Sequence, residues 1–316
     1  MNKPIKSYKA FDKNMRCRGF QYEVGKEYDM NGDIQCCKRG FHACESPMEV
    51  WDYYDMLTSR FAEVEQSGKI STEADSTKIC SSHIQIKAEL KLADIINIGV
   101  EWLKDLTSPS KLKADTLNNN ENSAKIGSSG YYAQIGSSGN YAKIGSSGNS
   151  AKIGSSGNSA KIGSSGNSAQ IGSSGDYVQI GSSGNSAKIG SSGNYAKIGS
   201  SGNSAKIGSS GNSAKIGSSG DYVQIGSSGN SAKIGSSGNY AKIDSTGEDS
   251  VIMCAGRDSV AKAKVGSWIT LAEWEWDDRK GRLAPVCVKT ERVDGIKIKP
   301  DTWYKLQDGE FVEVTE

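Results

Sequence analysis

Isoleucine recurs at every ninth position through the middle of the chain, from Ile126 to Ile243, which gives fourteen copies of one short unit. The commonest copy reads Asn-Ser-Ala-Lys-Ile-Gly-Ser-Ser-Gly. Ala and Ile alternate with Ser and Lys, and this period of two predicts a short β-strand with one apolar side. The Gly-Ser-Ser-Gly segment predicts a tight corner, with positive φ expected at its glycines and at the Asn that follows.

A nine-residue unit of this kind cannot bury its apolar side alone, so neighbouring units must stack. We predict a mainly β chain built around a parallel β-solenoid, a β-roll with two units per coil. Fourteen units would make about seven coils and a rod of about 34 Å, at roughly 4.8 Å per coil. A triangular coil of three units is the alternative geometry. A flexible Gly/Ser linker is the alternative that composition favours, but the constant isoleucine register argues for the solenoid.

The repeat resembles two known families. Its glycine spacing resembles the calcium-binding nonapeptide of secreted repeat toxins, yet Ser150, Ser159 and Ser168 stand where that family has its calcium-ligating Asp. We therefore expect no calcium, which needs several oxygen ligands such as carboxylates. The string Asn149-Ser150-Ala151-Lys152-Ile153-Gly154 resembles the core of trimeric autotransporter adhesin heads, and this resemblance implies a β-roll.

The flanking segments have ordinary compositions. We predict an α+β domain over residues 1–117, the solenoid over 118–265 and a β-rich domain over 266–316. In the first of these, Ser46-Pro47 is typical of a helix start. An amphipathic helix from Leu92 to Leu106 is expected to cover the open end of the solenoid. The last segment predicts a β-meander whose tryptophans form a small core: Trp268, Trp274, Trp276 and Trp303.

Charge is distributed unevenly along the chain. Residues 122–243 carry ten lysines and only two acidic residues, Asp176 and Asp221, a net charge of +8. The whole chain carries +2, so the remainder carries −6. If units alternate between two faces, one face presents a lysine column that only Gln179 interrupts. The members of this column are Lys125, Lys143, Lys161, Lys197, Lys215 and Lys233.

The lysine column is the main candidate for a binding site. Two lysines about 4.8 Å apart repel by about 0.9 kcal/mol even in water, so a column of them is expected to serve a purpose. It predicts binding to a polyanion such as nucleic acid, an acidic protein or a membrane surface, with Tyr141, Tyr177 and Tyr195 available for stacking. The alternative is that lysine only keeps a flat sheet soluble, and the absence of Arg from the repeat favours that alternative.

Cysteine and histidine offer a second candidate site. Cys36, Cys37, His42 and Cys44 lie within nine residues, with Cys17, Cys80 and His83 in reserve. Two adjacent cysteines rarely ligate one metal, so we expect free thiols and no metal or cofactor. The odd count of seven cysteines and the lack of an apolar leader predict a reducing cytoplasm. No apolar run is long enough to predict a membrane span.

Both ends of the chain resemble an uncharacterised phage and prophage family that places an N-terminal module ahead of repeat arrays. This resemblance implies a protein of a mobile genetic element in the bacterial host cytoplasm or on the virion. We expect a non-enzymatic interaction protein that binds and inhibits a host defence or nucleic-acid-processing factor. A structural virion spike is an alternative, and a homo-oligomer is possible. The matching strings are Lys9-Ala10-Phe11, Cys17-Arg18-Gly19-Phe20-Gln21-Tyr22-Glu23-Val24-Gly25-Lys26, Gly40-Phe41-His42-Ala43-Cys44, Gly266-Ser267-Trp268-Ile269-Thr270-Leu271-Ala272-Glu273-Trp274 and Ile298-Lys299-Pro300-Asp301-Thr302-Trp303-Tyr304.

An enzymatic alternative comes from the N-terminal segment. Gly40-Phe41-His42-Ala43, Trp51-Asp52-Tyr53-Tyr54 and Phe61-Ala62-Glu63-Val64-Glu65 resemble the strand, helix and strand of ADP-ribosyltransferase folds. The resemblance implies Glu63 and Glu65 as the candidate acids. The Arg- or His-headed first strand and the Ser-Thr-Ser element of those enzymes cannot be placed, so a non-enzymatic protein remains the main expectation.

Overall fold

The computed structural model describes residues 3–73, 76–106 and 117–315. The fold is mainly β, with 47% strand and 6% helix. The chain divides into two compact units, Met1–Trp102 and Leu103–Glu316. Within the described ranges, no helix is long and apolar enough to cross a membrane. The finer domain boundaries expected after residues 117 and 265 stay predictions.

The first unit is built on an antiparallel sheet of five strands, in the order Glu27–Asp29, Lys78–Leu90, Phe41–Cys44, Ile5–Phe11 and Arg60–Thr72. The last of these also pairs with Lys78–Leu90, so four of the five strands form a closed ring. The ring encloses a core that includes Phe11, Phe41, Val64 and Ile84. The strands are β1 (Ile5–Phe11), β2 (Arg16–Cys17), β3 (Phe20–Gln21), β4 (Glu27–Asp29), β5 (Phe41–Cys44), β6 (Arg60–Thr72) and β7 (Lys78–Leu90).

Two helical segments belong to this part of the chain. A 3-10 helix, Pro47–Asp52, begins at the predicted Ser46-Pro47 step, and Pro47 stands in its first turn. An α-helix, α1 (Leu92–Leu106), occupies the predicted range. Its apolar side chains Ile95, Ile96 and Val100 are buried, as the amphipathic pattern predicts. That α1 covers the open end of the solenoid stays a prediction.

The second unit is a parallel β-solenoid. Each repeat strand pairs in register with the strand 18 residues later, so that Lys143 pairs with Lys161 and Ile144 with Ile162. An offset of two units confirms the prediction of two units per coil and excludes the triangular coil. One sheet, here called the front sheet, contains β9 (Lys125–Ser128), β11 (Lys143–Ser146), β13 (Lys161–Ser164), β15 (Gln179–Ser182), β17 (Lys197–Ser200), β19 (Lys215–Ser218), β21 (Lys233–Ser236), β23 (Val251–Cys254) and β25 (Trp268–Asp277).

The other sheet, here called the back sheet, lies on the opposite side of the apolar core. Its strands alternate along the chain with those of the front sheet, because each coil contributes one strand to each sheet. The strands are β8 (Leu117–Asn118), β10 (Gln134–Ser137), β12 (Lys152–Ser155), β14 (Gln170–Ser173), β16 (Lys188–Ser191), β18 (Lys206–Ser209), β20 (Gln224–Ser227), β22 (Lys242–Ser245) and β24 (Val260–Ala263).

The solenoid has about eight turns, one more than predicted. The fourteen isoleucine units do not mark its limits, because segments without the repeat motif pair in the same register. Leu117–Asn118 pairs with β10, and Val251–Cys254 and Val260–Ala263 continue the two sheets beyond Ile243. Beyond Ile243 the inward Ile252 and Ala261 continue the coil without the first glycine of the repeat. The second glycine is kept, as Gly247 and Gly256, and there too a Cβ would clash with the preceding coil.

The interior of each coil holds alanine, isoleucine and serine. The predicted inward positions are confirmed, since Ala196, Ile198 and Ala205 are buried. The first serine of each Gly-Ser-Ser-Gly segment also points inward, as Ser182 and Ser200 do. From Ser146 to Ser236, the hydroxyls of these serines have no hydrogen-bond partner among the described residues. The small serine side chain fits where the two sheets approach each other. Its hydroxyl is then buried without a hydrogen bond, which costs free energy.

The predicted reason for the repeat's glycines is wrong. None of the glycines of the Gly-Ser-Ser-Gly segments adopts a positive φ. The second glycine instead allows successive coils to approach: a Cβ added at Gly202 would lie 2.1 Å from the carbonyl oxygen of Gly184. The first glycine makes no such close approach on the front sheet, because a Cβ added at Gly199 would meet nothing within 4 Å.

Left-handed backbone falls on the Ser or Tyr that follows each Asn, with φ of 56° at Ser186 and 57° at Tyr195. The expectation that Asn takes this conformation is therefore wrong. The Asn is engaged in a ladder, because its Oδ1 accepts a hydrogen bond from the backbone N–H 18 residues later. Asn185 accepts from Asn203 at 2.9 Å, and Asp176 takes the same role toward Asn194 at 2.7 Å. This side-chain ladder joins successive coils at each corner and offsets the cost of left-handed Ser and Tyr.

The ladder gives a first testable expectation. Asn185→Ala removes the acceptor for the N–H of Asn203 and should lower the free energy of unfolding by about 1 kcal/mol. Asn185→Asp keeps an acceptor oxygen, as Asp176 and Asp221 do naturally, and should cost much less. Urea denaturation of the full chain compares the two variants. Equal losses would show that the ladder does not stabilise the corner.

The C-terminal segment extends the two sheets of the solenoid. The long strand β25 continues the front sheet in parallel with β23, and β26 (Arg282–Arg292) pairs with it antiparallel. Two further strands, β27 (Tyr304–Gln307) and β28 (Glu310–Glu313), continue the back sheet. The four tryptophans do not form a common core: Trp303 is buried, but Trp268 and Trp276 are exposed. The core here contains Ile269, Leu271, Val293, Ile298, Tyr304 and Leu306, which pack with the solenoid interior.

Candidate functional site

The front sheet presents the predicted lysine column along its outer face. Strand pairing aligns Lys125, Lys143, Lys161, Gln179, Lys197, Lys215 and Lys233 in one row. All of these side chains are exposed. Beside them runs a second row that consists only of glycine: Gly127, Gly145, Gly163, Gly181, Gly199, Gly217 and Gly235.

The two rows together form a shallow open groove, here called the lysine–glycine groove. Its floor is backbone and the edges of the isoleucine side chains, because glycine leaves that strip uncovered. Lysines line one side. The other side is lined by Ser165, Ser183, Ser201 and Ser219. No acidic residue lies among the described residues that line the groove. An extended, negatively charged segment could therefore lie along the strip close to the backbone.

The predicted tyrosines lie at the corner that leads into the front sheet. Tyr141, Tyr177 and Tyr195 each stand two residues before an outward position of the groove and are exposed. Tyr177 and Tyr195 occupy successive coils and stack with ring centroids 4.9 Å apart and an angle of 6° between their planes. Tyr141 is separated from them by a coil that carries Ser159. The structure thus brings the predicted lysines and tyrosines together along one side of the solenoid.

The groove ends in an apolar patch that the sequence reasoning missed. Val251 and Trp268 continue the lysine row in register, and Met253 continues the glycine row. Their exposed fractions are 48%, 46% and 53%. The signal was present in the sequence: Val251 and Met253 flank Ile252, which holds the inward isoleucine position. Alternation therefore places both on the outer face.

The outward positions of the back sheet are less accessible. Gln170 and Lys188 are buried, and Gln134, Lys152, Lys206, Gln224 and Lys242 are half-buried. The prediction that units alternate between two faces, with the lysine column on one of them, is confirmed by the strand pairing. The accessible lysines of the repeat belong to the front sheet.

The candidate catalytic acids lie on the first unit's sheet. Glu63 forms a salt bridge with Lys6 at 2.8 Å, and Glu65 lies 3.4 Å from the ammonium of Lys87. Neither residue lines the cavity of about 320 Å³ that opens beside β1 and β5 of this unit. Surface ion pairs of this kind are common on exposed strands and do not by themselves indicate catalysis.

The cysteine and histidine cluster has a different membership from the predicted set. Potential metal-ligating atoms of Cys36, His42 and Cys80 lie within 4.8 Å of one another. Cys37 lies instead beside Lys78, its Sγ 3.2 Å from the ammonium nitrogen. The Cys80 thiol points to the carbonyl oxygen of Arg39 at 3.1 Å, and burial raises its pKa to about 12. All seven cysteines of the chain are free thiols.

Histidine 42 is oriented by the backbone. Its Nε2 accepts a hydrogen bond from the N–H of Cys37 at 2.9 Å, which requires this nitrogen to be unprotonated. Burial, together with the charges of Lys9 and Arg18, lowers the pKa of His42. Both effects favour neutral imidazole at neutral pH.

Comparisons with known proteins place only the N-terminal part of the chain in a family. Neither the curated proteins nor the solved structures contain a match to this chain. Residues 5–98 match the family described as Domain of unknown function (DUF7666). This range covers the closed sheet of the first unit and the beginning of α1. The N-terminal unit therefore carries a DUF7666 domain, followed in the chain by a β-solenoid.

Proposed function

We propose that this chain is a non-enzymatic interaction protein whose solenoid binds a partner protein along the lysine–glycine groove. The observation that carries the proposal is a row of six exposed lysines beside an uncovered glycine floor, with no acidic residue among the described lining residues. Mutual repulsion along this row is relieved when an acidic partner occupies it. The partner is therefore expected to present an extended acidic segment.

The apolar end of the groove favours a protein over a nucleic acid. Val251, Met253 and Trp268 form a contiguous exposed patch in register with Lys233 and Gly235. Exposed patches of this kind are typical of protein-binding sites. Arg, which recognises phosphates and bases through paired hydrogen bonds, is missing from the repeat. A partner with acidic side chains along its length and an apolar residue at one end fits both features.

The rigidity of the solenoid supports binding at a long, shallow site. The groove's backbone is fixed by strand pairing in every coil and by the asparagine ladder at the corners. Little conformational entropy is then lost from the scaffold when a partner binds. The stacked Tyr177 and Tyr195 add a flat, exposed aromatic surface beside the groove.

The biological role that follows is inhibition of a bacterial host factor in the cytoplasm by a phage-encoded protein. This part of the proposal comes from the resemblance of both chain ends to phage and prophage modules. A rigid basic groove that occupies the acidic surface of a host enzyme would block that surface without any catalytic step. The solenoid would act as a spike if the chain belongs to the virion.

Capture from bacterial host lysate tests the proposal. The immobilised full chain should retain one stoichiometric protein at low salt and release it as the ionic strength rises, because exposed charge pairs are screened. The retained protein should be an intracellular host protein with an acidic surface segment. Retention of DNA alone, removed by nuclease treatment, would favour the nucleic-acid alternative and overturn the proposal. Retention of a virion protein would favour the spike.

A further inference from the structure

A second candidate site lies inside the DUF7666 domain. A cavity of about 320 Å³ opens beside β1 and β5, which places it in the size range of small-molecule sites. Aromatic side chains form much of its wall. They include Phe20, Tyr22, Phe41, Tyr53 and Tyr54. A planar ring bound among these side chains would find both stacking and edge contacts.

The same cavity is strongly basic. Five cationic residues line it, and none of its described lining residues is Asp or Glu. Lys78 is paired with the Glu73 carboxylate at 2.5 Å, and the Arg39 guanidinium donates to the carbonyl oxygen of Asn31 at 2.7 Å. Arg18 and Lys38 are exposed at the rim. A cavity with this imbalance attracts an anion.

Lys9 is the least expected of these cations. Its side chain is buried, with only 4% exposed, and no carboxylate among the described residues pairs with it. The ammonium nitrogen donates to the carbonyl oxygen of His42 at 2.8 Å and lies 3.4 Å from Cys17 Sγ. It also lies 5.4 Å from the ring centroid of Tyr22. Burial lowers the pKa of Lys9, since these neutral neighbours replace water only in part.

A buried ammonium without a counter-ion is costly, and a bound anion would supply the missing charge. Arg18 and Cys37 contribute a further sign of a built site, because both line the cavity in left-handed backbone, with φ of 50° and 66°. Outside the repeated corners of the solenoid this conformation is rare among the described non-glycine residues, and such residues concentrate at functional sites. The ring-lined wall and the cations therefore point to one ligand that carries both an aromatic group and a negative charge.

We propose that the DUF7666 domain of this chain binds a small aromatic anion, of the class of nucleoside monophosphates, in the cavity around Lys9. The negative group would lie toward Lys9, Arg18 and Lys38, and the ring would lie among the tyrosines and phenylalanines. This binding is separate from the proposed partner groove and does not depend on it.

Calorimetric titration of the full chain with AMP, GMP, CMP and UMP tests this proposal. At least one of the four should bind, and the matching nucleoside and ribose 5-phosphate should each bind at least tenfold more weakly. Failure of all four to bind at millimolar concentration would overturn the proposal. Equal affinity for ribose 5-phosphate would overturn the aromatic part of it.

Variants at the rim separate a specific site from general basicity. Arg18→Gln with Lys38→Gln should weaken nucleotide binding at least tenfold. Lys13→Gln with Lys26→Gln removes the same charge from exposed positions outside the cavity and should leave binding unchanged. Lys9→Met should abolish binding if it folds, and the rim pair tests the site if it does not. Equal effects of the two pairs would contradict the proposal. The variant with Arg18→Gln and Lys38→Gln should still capture the partner protein. A failure of nucleotide binding can therefore be distinguished from a failure of partner binding at the groove.

Discussion

Gly202→Ala should destabilise the solenoid by about 1–3 kcal/mol, although it adds a single methyl group. The added Cβ would lie 2.1 Å from the carbonyl oxygen of Gly184, which belongs to the preceding coil. Neighbouring coils cannot separate to accept it without breaking strand pairing. The same clash recurs at the equivalent glycines from Gly139 to Gly256, for example 2.0 Å at Gly184 and 1.9 Å at Gly193.

Gly199→Ala is the matched control, since Gly199 lies three residues earlier on the front sheet and its Cβ would meet nothing within 4 Å. This substitution should be neutral or slightly stabilising, because alanine reduces the entropy of the unfolded chain. Thermal and urea unfolding of both variants measure the difference. If Gly202→Ala were as stable as Gly199→Ala, close approach of the coils would not be the reason for the second glycine.

Replacing four groove lysines by glutamine should weaken partner binding about a hundredfold. The substitutions are Lys143→Gln, Lys161→Gln, Lys197→Gln and Lys215→Gln. An exposed ion pair contributes about 0.2–1 kcal/mol, so four pairs near 0.7 kcal/mol each amount to the 2.7 kcal/mol of a hundredfold change. The affinity for the captured partner is measured by titration at fixed ionic strength.

A control of equal charge distinguishes the groove from net charge. Lys3, Lys13, Lys26 and Lys91 are exposed lysines outside the solenoid. Their replacement by glutamine removes four charges as well, and should change the affinity less than about threefold through long-range electrostatics. Comparable losses in both quadruple variants would mean that binding depends on overall charge and not on the groove.

The arrangement of the solenoid could be predicted because one signal dominates it. Isoleucine at a constant interval fixes the inward position, and alternation around it fixes the neighbours on the outer face. The two-unit coil then separates the lysines into two rows, which is why the front row from Lys125 to Lys233 was predicted in full. The end of the solenoid was harder, because β23 and β24 keep the pairing but not the motif.

The roles of glycine and asparagine could not be predicted from local preference. Both residues favour left-handed backbone in isolation, so the sequence places positive φ on them. In the folded coil, contacts between residues 18 apart in the sequence determine which residue adopts the left-handed conformation. Gly202 is needed where two backbones approach, and Asn185 is needed as an acceptor for the next coil. The left-handed conformation falls on Ser186, whose backbone N–H donates to the carbonyl oxygen of Asn203 in the next coil at 2.8 Å.

The cavity of the DUF7666 domain was also beyond sequence reasoning. Its lining comes from β1, from the loop around Arg18, from β5 and from Lys78, and only the closed sheet brings these segments together. The string Gly40-Phe41-His42-Ala43-Cys44 resembles the phage family, and parts of it also belong to the predicted metal set and to the enzyme resemblance. Its position on the cavity wall gives it a different interpretation, since His42 supplies the carbonyl oxygen that accepts from Lys9.

A crystal or cryo-electron microscopy structure of the purified complex with the captured partner tests the central claim most directly. We predict an acidic segment of the partner along the lysine–glycine groove, with an apolar side chain against Val251, Met253 and Trp268. A partner seated on the back sheet, or on the DUF7666 domain with the groove empty, would contradict the claim.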